Sequence, residues 1–249
     1  MILYYVRHGD PIYEPDMLTE QGHLQAEALA KRLSLYGVDE IYSSSSVRAK
    51  ETAQPTCELL GKSLTELDWM HEKHCADAFG VPICEGGRLT WLWARPEYAD
   101  LLCSREVREM GDRWCEHPAF SQMGFKEYYA DMKKNIDGFI ASLGYEHDRE
   151  KGLYRVTGNN KEKRVALFAH EGVAKVFMSE VLDIPYPYYV EHFEMKHTGV
   201  TAIYFDEGRN DYDFHGYARA RVLTLSNDSH LFRDGLPTTH TSTGLREQY

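Results

Sequence analysis

Met1-Ile2-Leu3-Tyr4-Tyr5-Val6-Arg7-His8-Gly9-Asp10-Pro11 begins as an apolar run and breaks abruptly into charge. Ile2 to Val6 has the β-branched and aromatic character of a strand buried on both faces. Gly9 and Pro11 force a turn directly after Arg7 and His8. The run is too short for a signal peptide and ends in charge, so it reads as a first strand. The same order recurs far along the chain, where Arg164-Val165-Ala166-Leu167-Phe168-Ala169 runs into His170-Glu171-Gly172 and then a helix over Val173 to Leu182, ended by Pro185.

Between these two segments, Thr19 caps a helix with Leu24, Ala28, Leu29 and Leu33 on one face, stopped by Gly37. Asp39 to Tyr42 reads as a strand and Ser43 to Ser46 as a polar loop. Val47 to Leu60 reads as a helix that Pro55 should kink or shorten, and Leu64 to Met70 as a third strand. Gly199 to Phe205 and Tyr212 to Tyr217 read as final strands around a turn at Gly208. Beyond Leu225, including Thr238 to Thr243, the chain is polar and reads as extended. Strands alternating with helices predict an α/β fold with a mostly parallel central sheet covered on both faces. Residues 73–150 lack strand patterning and hold Trp91, Trp93, Trp114 and a helix around Lys126 to Leu143. They are expected to form a helical cap inserted into a single domain of residues 1–249.

Composition narrows the function. Twenty-eight Lys and Arg against 39 Asp and Glu leave a net charge of −11 over 249 residues, which argues against nucleic acid or an anionic membrane as partner. No stretch approaches the roughly 20 apolar residues of a membrane-spanning helix. The five cysteines (Cys57, Cys75, Cys84, Cys103 and Cys115) include no CxxC pair, so neither a disulfide framework nor a structural zinc site is expected, and a reducing cytoplasm is the default. The oligomeric state is not legible.

Ligands of parallel α/β sheets bind beyond the carboxyl ends of the strands, and three charged clusters fall there: Arg7-His8, Ser43 to Arg48, and His170. Arg7 and Arg48 offer planar bidentate donors suited to phosphate. His8 can attack through one ring nitrogen if the other donates to a fixed acceptor. His170 can donate to the same phosphate oxygens, and Gly9 and Gly172 let backbone approach a ligand closely. A carboxylic acid to protonate the leaving oxygen should come from the end of the third strand. The plainer readings are a strand-end role for Arg7 and His8, an Arg48–Glu51 pair, and a buried hydrogen-bonded His170. His71, His74, His117, His147 and His240 read as surface or packing residues, Trp91, Trp93 and Trp114 as core, and Arg88, Arg95 and Arg113 as solvated.

Arg7-His8-Gly9, Leu18-Thr19-Glu20-Gln21-Gly22 with Gln25-Ala26, Ser44 through Arg48-Ala49 with Thr52-Ala53, and His170 after a strand together resemble the histidine phosphatase superfamily. This branch includes the cofactor-dependent phosphoglycerate mutases and small bacterial phosphatases. The resemblance spans residues 2–72 and about 164–206 and implies a three-layer α/β/α sandwich. It implies His8 as phosphorylated nucleophile, Arg7, Arg48 and His170 as the phosphate pocket, and a Glu shortly after the third strand as acid. Asp68-Trp69-Met70-His71-Glu72 fits that pattern, with Glu66 as a rival. Two departures stand out. Glu171 separates His170 from Gly172, where the family has His-Gly, and could point away from the pocket. The segments Asp10-Pro11-Ile12-Tyr13 and Lys73-His74-Cys75 replace those of the mutases, which favours hydrolysis. The expected activity is that of a histidine acid-type phosphatase, a phosphoric monoester hydrolase without metal or cofactor, acting on a small phosphorylated substrate. The alternatives are a mutase-type phosphotransferase, a silent phosphate-binding module, and a metallohydrolase built from His8, Asp10, His170 and Glu171.

Overall fold

In the computed structural model, residues 1–82, 89–120, 123–209, 212–213 and 215–238 are described. Expectations for Cys84, Arg88, His240 and the tail from residue 239 lie outside them.

The first strand, β1 (Ile2–Arg7), shows how the fold is built. Its side chains alternate, Leu3 and Tyr5 entering one hydrophobic core while Tyr4 and Val6 enter another on the opposite face. The short pair β2 (Pro11–Ile12) and β3 (Met17–Leu18) follows, then α1 (Glu20–Tyr36), β4 (Glu40–Ser44), α2 (Val47–Leu60) and β5 (Leu64–Leu67). Next come α3 (Glu72–Phe79), the short pair β6 (Gly80–Pro82) and β7 (Leu89–Trp91), α4 (Pro96–Cys103), α5 (Arg105–Glu109) and α6 (Phe125–Ser142). The chain continues through β8 (Tyr145–Asp148), β9 (Leu153–Val156), β10 (Arg164–Ala169), α7 (Glu171–Leu182) and α8 (Tyr186–Val190). It closes with β11 (Val200–Asp206), the short strands β12 (Gly208–Arg209) and β13 (Tyr212–Asp213), β14 (Tyr217–Asn227) and α9 (Ser229–Arg233).

Eight strands form one sheet in the order β5-β4-β10-β1-β11-β14-β9-β8. It is mixed: β5, β4, β10 and β1 run parallel, and the half beyond β1 is antiparallel. Like β1, β10 divides its side chains, with Val165, Leu167 and Ala169 in one core and Ala166 and Phe168 in the other. Helices on both faces account for this double burial.

Several elements depart from the sequence expectation. Pro55 lies within a continuous α2. The buried face of that helix (Ala49, Thr52, Ala53, Thr56 and Cys57) is packed throughout, and tertiary packing tolerates the one backbone hydrogen bond that proline removes. The third strand stops at Leu67, and residues 68–70 form a 3-10 turn that delivers Glu72 to the first turn of α3. The segment expected to be helical to about residue 150 is already back in the sheet at Tyr145. It also contains the β6–β7 hairpin. The last strand of the sheet is Tyr217–Asn227 rather than Tyr212–Tyr217. Its side chains are mostly exposed or half-buried and include Arg219 and Arg221, so the sequence shows little apolar alternation there.

Candidate active site

The parallel strands β1, β4 and β10 end together, and their following residues meet there. His8 leaves β1, Ser44 ends β4, Ser46 caps α2, Arg48 lies in the first turn of α2, and His170 caps α7 after β10. Arg7, His8, Arg48 and His170 are all buried. The floor is held by backbone: His8 N–H donates to Ala169 O, and Thr198 N–H lies 3.1 and 3.2 Å from the carbonyls of Arg7 and His8. Thr198 adopts φ 52°, a conformation a β-branched residue rarely takes, and places that N–H against both carbonyls.

The His8 ring is oriented by one contact. Its Nδ1 lies 2.7 Å from Gly9 O, and a carbonyl only accepts, so Nδ1 carries the hydrogen and Nε2 the lone pair. Burial pushes the His8 imidazole well below its ordinary value, and His170, Arg7 and Arg48 push in the same direction, so the ring stays neutral at neutral pH. Gly9 N–H donates to Thr52 Oγ1 at 2.9 Å, and that hydroxyl donates to Arg48 O at 2.7 Å, tying the nucleophile loop to α2. A Cβ on Gly9 would sit 2.7 Å from Gly22 O, so the missing side chain lets the loop close onto α1.

His170 Nε2 lies 2.8 Å from Ser44 Oγ and 3.2 Å from Ser46 Oγ. Ser44 Oγ accepts from Ser46 N–H, which leaves its hydroxyl hydrogen for the ring nitrogen. His170 Nδ1, buried and without a hydrogen-bond partner, lies 3.6 Å from Glu72 Oε2. Burial, then Arg48, His71 and Arg7, hold this imidazole well below its ordinary value too.

Carboxylates hold both arginines. Arg48 reaches Asp16 Oδ1 and Glu72 Oε2, each at 2.6 Å, and its guanidinium is pushed up by Glu72 and Asp16 against the opposing effect of burial. Arg7 Nη1 bonds Glu171 Oε2 and Met195 O, each at 2.5 Å. Glu171 therefore does not turn away from the pocket; it occupies an arginine there. Glu66 lies on the edge strand, half-exposed, 3.2 Å from Lys50, so the structure gathers Glu72 and not Glu66 with the histidines.

Beside these residues is a cleft of about 440 Å³, lined by Arg7, Tyr13, Glu72, Glu171, Gly172 and Glu194 among others. Trp91 and Trp93, expected in the core, pack half-buried against it and line the cleft as well. Their rings stack with centroids 4.8 Å apart and 10° between planes. A Cβ on Gly172 would lie 3.0 Å from the Trp91 ring, so the glycine makes room for the indole. Trp114 is fully buried in the core, as read. Of the arginines read as solvated, Arg95 pairs with Glu97.

Asp16, Glu194 and His197 escaped the sequence reading. His197 is buried with its ring 5.6 Å from that of His8 and its Nδ1 3.4 Å from Asp10 Oδ1. Its one clue is its position just ahead of β11, the neighbour of β1.

His8, Glu72 and His170 place one ligand atom each within 4.8 Å of one another. A tetrahedral zinc shell has edges of about 3.3 Å from bonds of about 2.0–2.1 Å. Glu72 is bound to Arg48, and two guanidinium groups beside the cluster oppose a dication. The set does not fit a metal. Nor is the set His8, Asp10, His170 and Glu171 gathered, because Asp10 bonds Thr19 at 2.8 Å and Glu171 bonds Arg7.

The sequence profile of the histidine phosphatase superfamily (branch 1) matches residues 3–217. The chain belongs to that superfamily. No curated protein sequence matches it. Among solved structures, a phosphoserine phosphatase mutant from Entamoeba histolytica in complex with phosphoserine is 20% identical at TM-score 0.57, covering 92% of this chain and 98% of that one. A mycobacterial glucosyl-3-phosphoglycerate phosphatase in complex with VO3 is also 20% identical at TM-score 0.57, covering 90% and 98%. The α-ribazole phosphatase of Shigella flexneri is 18% identical at TM-score 0.53, covering 92% and 97%. At these identities the likeness is one of fold, and the cleft of this histidine phosphatase superfamily member is lined by Trp91, Trp93, Glu171 and Glu194.

Proposed function

We propose that the protein is a metal-independent phosphomonoester hydrolase of the histidine acid type, acting through a covalent phosphohistidine on a small phosphorylated metabolite. The observation that carries this reading is the His8 ring: neutral, buried, with Nδ1 locked on Gly9 O and Nε2 left as the nucleophile.

His8 Nε2 attacks phosphorus while Arg7, Arg48 and the Nδ1–H of His170 take the equatorial oxygens, where charge builds. Glu171 and Asp16 keep the two guanidinium groups in position until the phosphoryl group displaces them. Glu72 then protonates the departing alkoxide and, in the second step, deprotonates the water that cleaves phosphohistidine. The pH–rate profile is therefore a bell on the acidic-to-neutral side. Activity still rising well into alkaline pH contradicts these roles.

Residues 1–249 then act as one domain whose inserted segment, ending before β8 rather than at about residue 150, caps the site. In support, Phe79, Trp114 and Phe125 share a core with Leu3 and Leu167, and Trp91 and Trp93 line the cleft. A reducing cytoplasm is consistent with Cys57, Cys75, Cys103 and Cys115, all free. Among the described residues, no helix is long and apolar enough to cross a membrane.

The test is hydrolysis of p-nitrophenyl phosphate by the wild type and His8→Ala, each with and without EDTA. Turnover should survive chelation and fall by about 10⁴-fold or more in the mutant. Turnover abolished by EDTA contradicts the mechanism, as does turnover retained by His8→Ala.

A further inference from the structure

We infer that Gln25 is a positioning residue for the nucleophile: its side-chain oxygen fixes the peptide plane that holds His8 in its attacking tautomer. The inference rests on the hydrolase reading above and adds a residue that neither touches the substrate nor moves a proton.

The attacking form of His8 depends on one carbonyl. Gly9 O lies 2.7 Å from Nδ1 and keeps the hydrogen there, which leaves the lone pair on Nε2. That oxygen belongs to the peptide between Gly9 and Asp10, which is trans. A trans peptide is planar, with its C=O and N–H pointing to opposite sides. Whatever holds Asp10 N–H therefore also aims Gly9 O.

The holder is Gln25 on α1. Its Oε1 accepts from Asp10 N–H at 2.8 Å. A backbone N–H only donates, so the atom facing it is the oxygen and the amide has one possible orientation. Gln25 is fully buried, and its Nε2 has no hydrogen-bond partner among the described residues. A buried amide with its own N–H groups unmet is a poor choice for stability alone. The hydrogen bond its side chain does make goes to the peptide behind the nucleophile.

The other contacts of this loop hold the peptides on either side. Gly9 N–H, in the preceding peptide, is held by Thr52. Asp10 O, in the following one, accepts from Thr19 N–H at 2.9 Å, and the Asp10 carboxylate accepts from Thr19 Oγ1. Within the plane between Gly9 and Asp10, His8 grips the oxygen and Gln25 the N–H. Without an acceptor at position 25 that N–H loses its partner, and the peptide can turn toward another one and carry Gly9 O off Nδ1. A neutral imidazole released from that carbonyl favours the hydrogen on Nε2, the tautomer with no lone pair for phosphorus.

The experiment reads the tautomer and the chemistry separately. Histidine nitrogens are isotope-labelled and followed by NMR in phosphate-free buffer, with the His8 signals assigned by their loss in His8→Ala. The wild type should carry its hydrogen on Nδ1. Gln25→Met, which keeps the volume and removes the acceptor, should shift His8 toward the Nε2–H form. Its kcat/KM for p-nitrophenyl phosphate, whose leaving group needs little protonation, should fall by about ten- to hundredfold. The inhibition constant of inorganic phosphate, set by Arg7, Arg48 and His170, should stay within about threefold. Gln25→Glu keeps an oxygen for Asp10 N–H and should retain the wild-type tautomer and a higher kcat/KM than Gln25→Met. Gln25→Asn, one methylene shorter, takes the place of Gln25→Met if the latter does not fold. A folded acceptor-free variant in which either the tautomer or kcat/KM is unmoved overturns this inference alone. So does one whose phosphate affinity falls as far as its kcat/KM, which marks a collapsed site and not a turned peptide. No hydrolysis of p-nitrophenyl phosphate by the wild type overturns the hydrolase reading, and this inference falls with it.

Discussion

The floor of the cleft and its wall are built differently. On the floor, parallel strands end side by side, so His8, Arg48 and His170 arrive on the first residues after β1, β4 and β10, buried and tied to backbone. The wall comes from the end of β7, the 3-10 turn over residues 92–94 and the segment before β11, where no common strand edge aligns the side chains. A floor of this kind suits a step whose geometry is fixed for every substrate, such as attack on phosphorus. A wall of short elements can change without disturbing that step, which is where substrate choice belongs.

Replacing Glu72 tests the floor with a large effect. Glu72→Gln should lower kcat/KM for alkyl phosphates by about 10²–10⁴-fold, the usual scale for losing a general acid. The loss should be smaller for p-nitrophenyl phosphate, whose leaving group needs less protonation. Glu66→Gln should leave both rates unchanged. Steady-state kinetics on the two ester types checks this, and an equal loss on both esters removes Glu72 from the acid role.

Glu171 sits where floor and wall meet, so its replacement sharpens the comparison. Glu171→Gln frees Arg7 from a competing carboxylate and should tighten inorganic phosphate, measured as its inhibition constant, by about three- to tenfold. Weaker phosphate binding would show instead that the carboxylate serves mainly to hold the guanidinium in place.

A smaller effect concerns stability. Burial, with the nearby cations, holds the imidazoles of His8, His170 and His230 below their ordinary value, His230 at about 4. The unfolded chain therefore binds more protons than the folded one once the pH falls below about 6.5, and folding stability falls with it. His147 opposes this in part, because its hydrogen bonds to Asp137 and Asp183 raise its value against burial. Tm should drop between pH 7.5 and 5 at constant ionic strength. A flat or rising Tm would mean that these rings are charged in the native state.

The difference between floor and wall also explains what could be read from residues alone. Strand, turn and helix follow one another locally at Arg7-His8-Gly9 and at Ala169-His170, so the floor residues are visible as motifs. The antiparallel half of the sheet is not: β8 and β9 pair with each other and then with β14, about 60 residues further on. Trp91 and Trp93 read as core because large aromatic residues usually are. Both do pack against the core, and the space above Gly172 that lets Trp91 also line the cleft is a tertiary contact with no local trace. Glu171 looked misplaced beside a phosphate pocket because its partner, Arg7, lies 164 residues away in the chain.

The central claim is tested most directly by trapping the intermediate. The enzyme is mixed with substrate, quenched in alkali within the first turnovers and digested, and the peptide carrying His8 is sequenced by mass spectrometry. The account predicts one phosphoryl group on His8, stable to alkali, lost in acid, formed equally with EDTA and absent from His8→Ala. Turnover with an unmodified His8 peptide at every quench time, or a phosphoryl group on another residue, would contradict it.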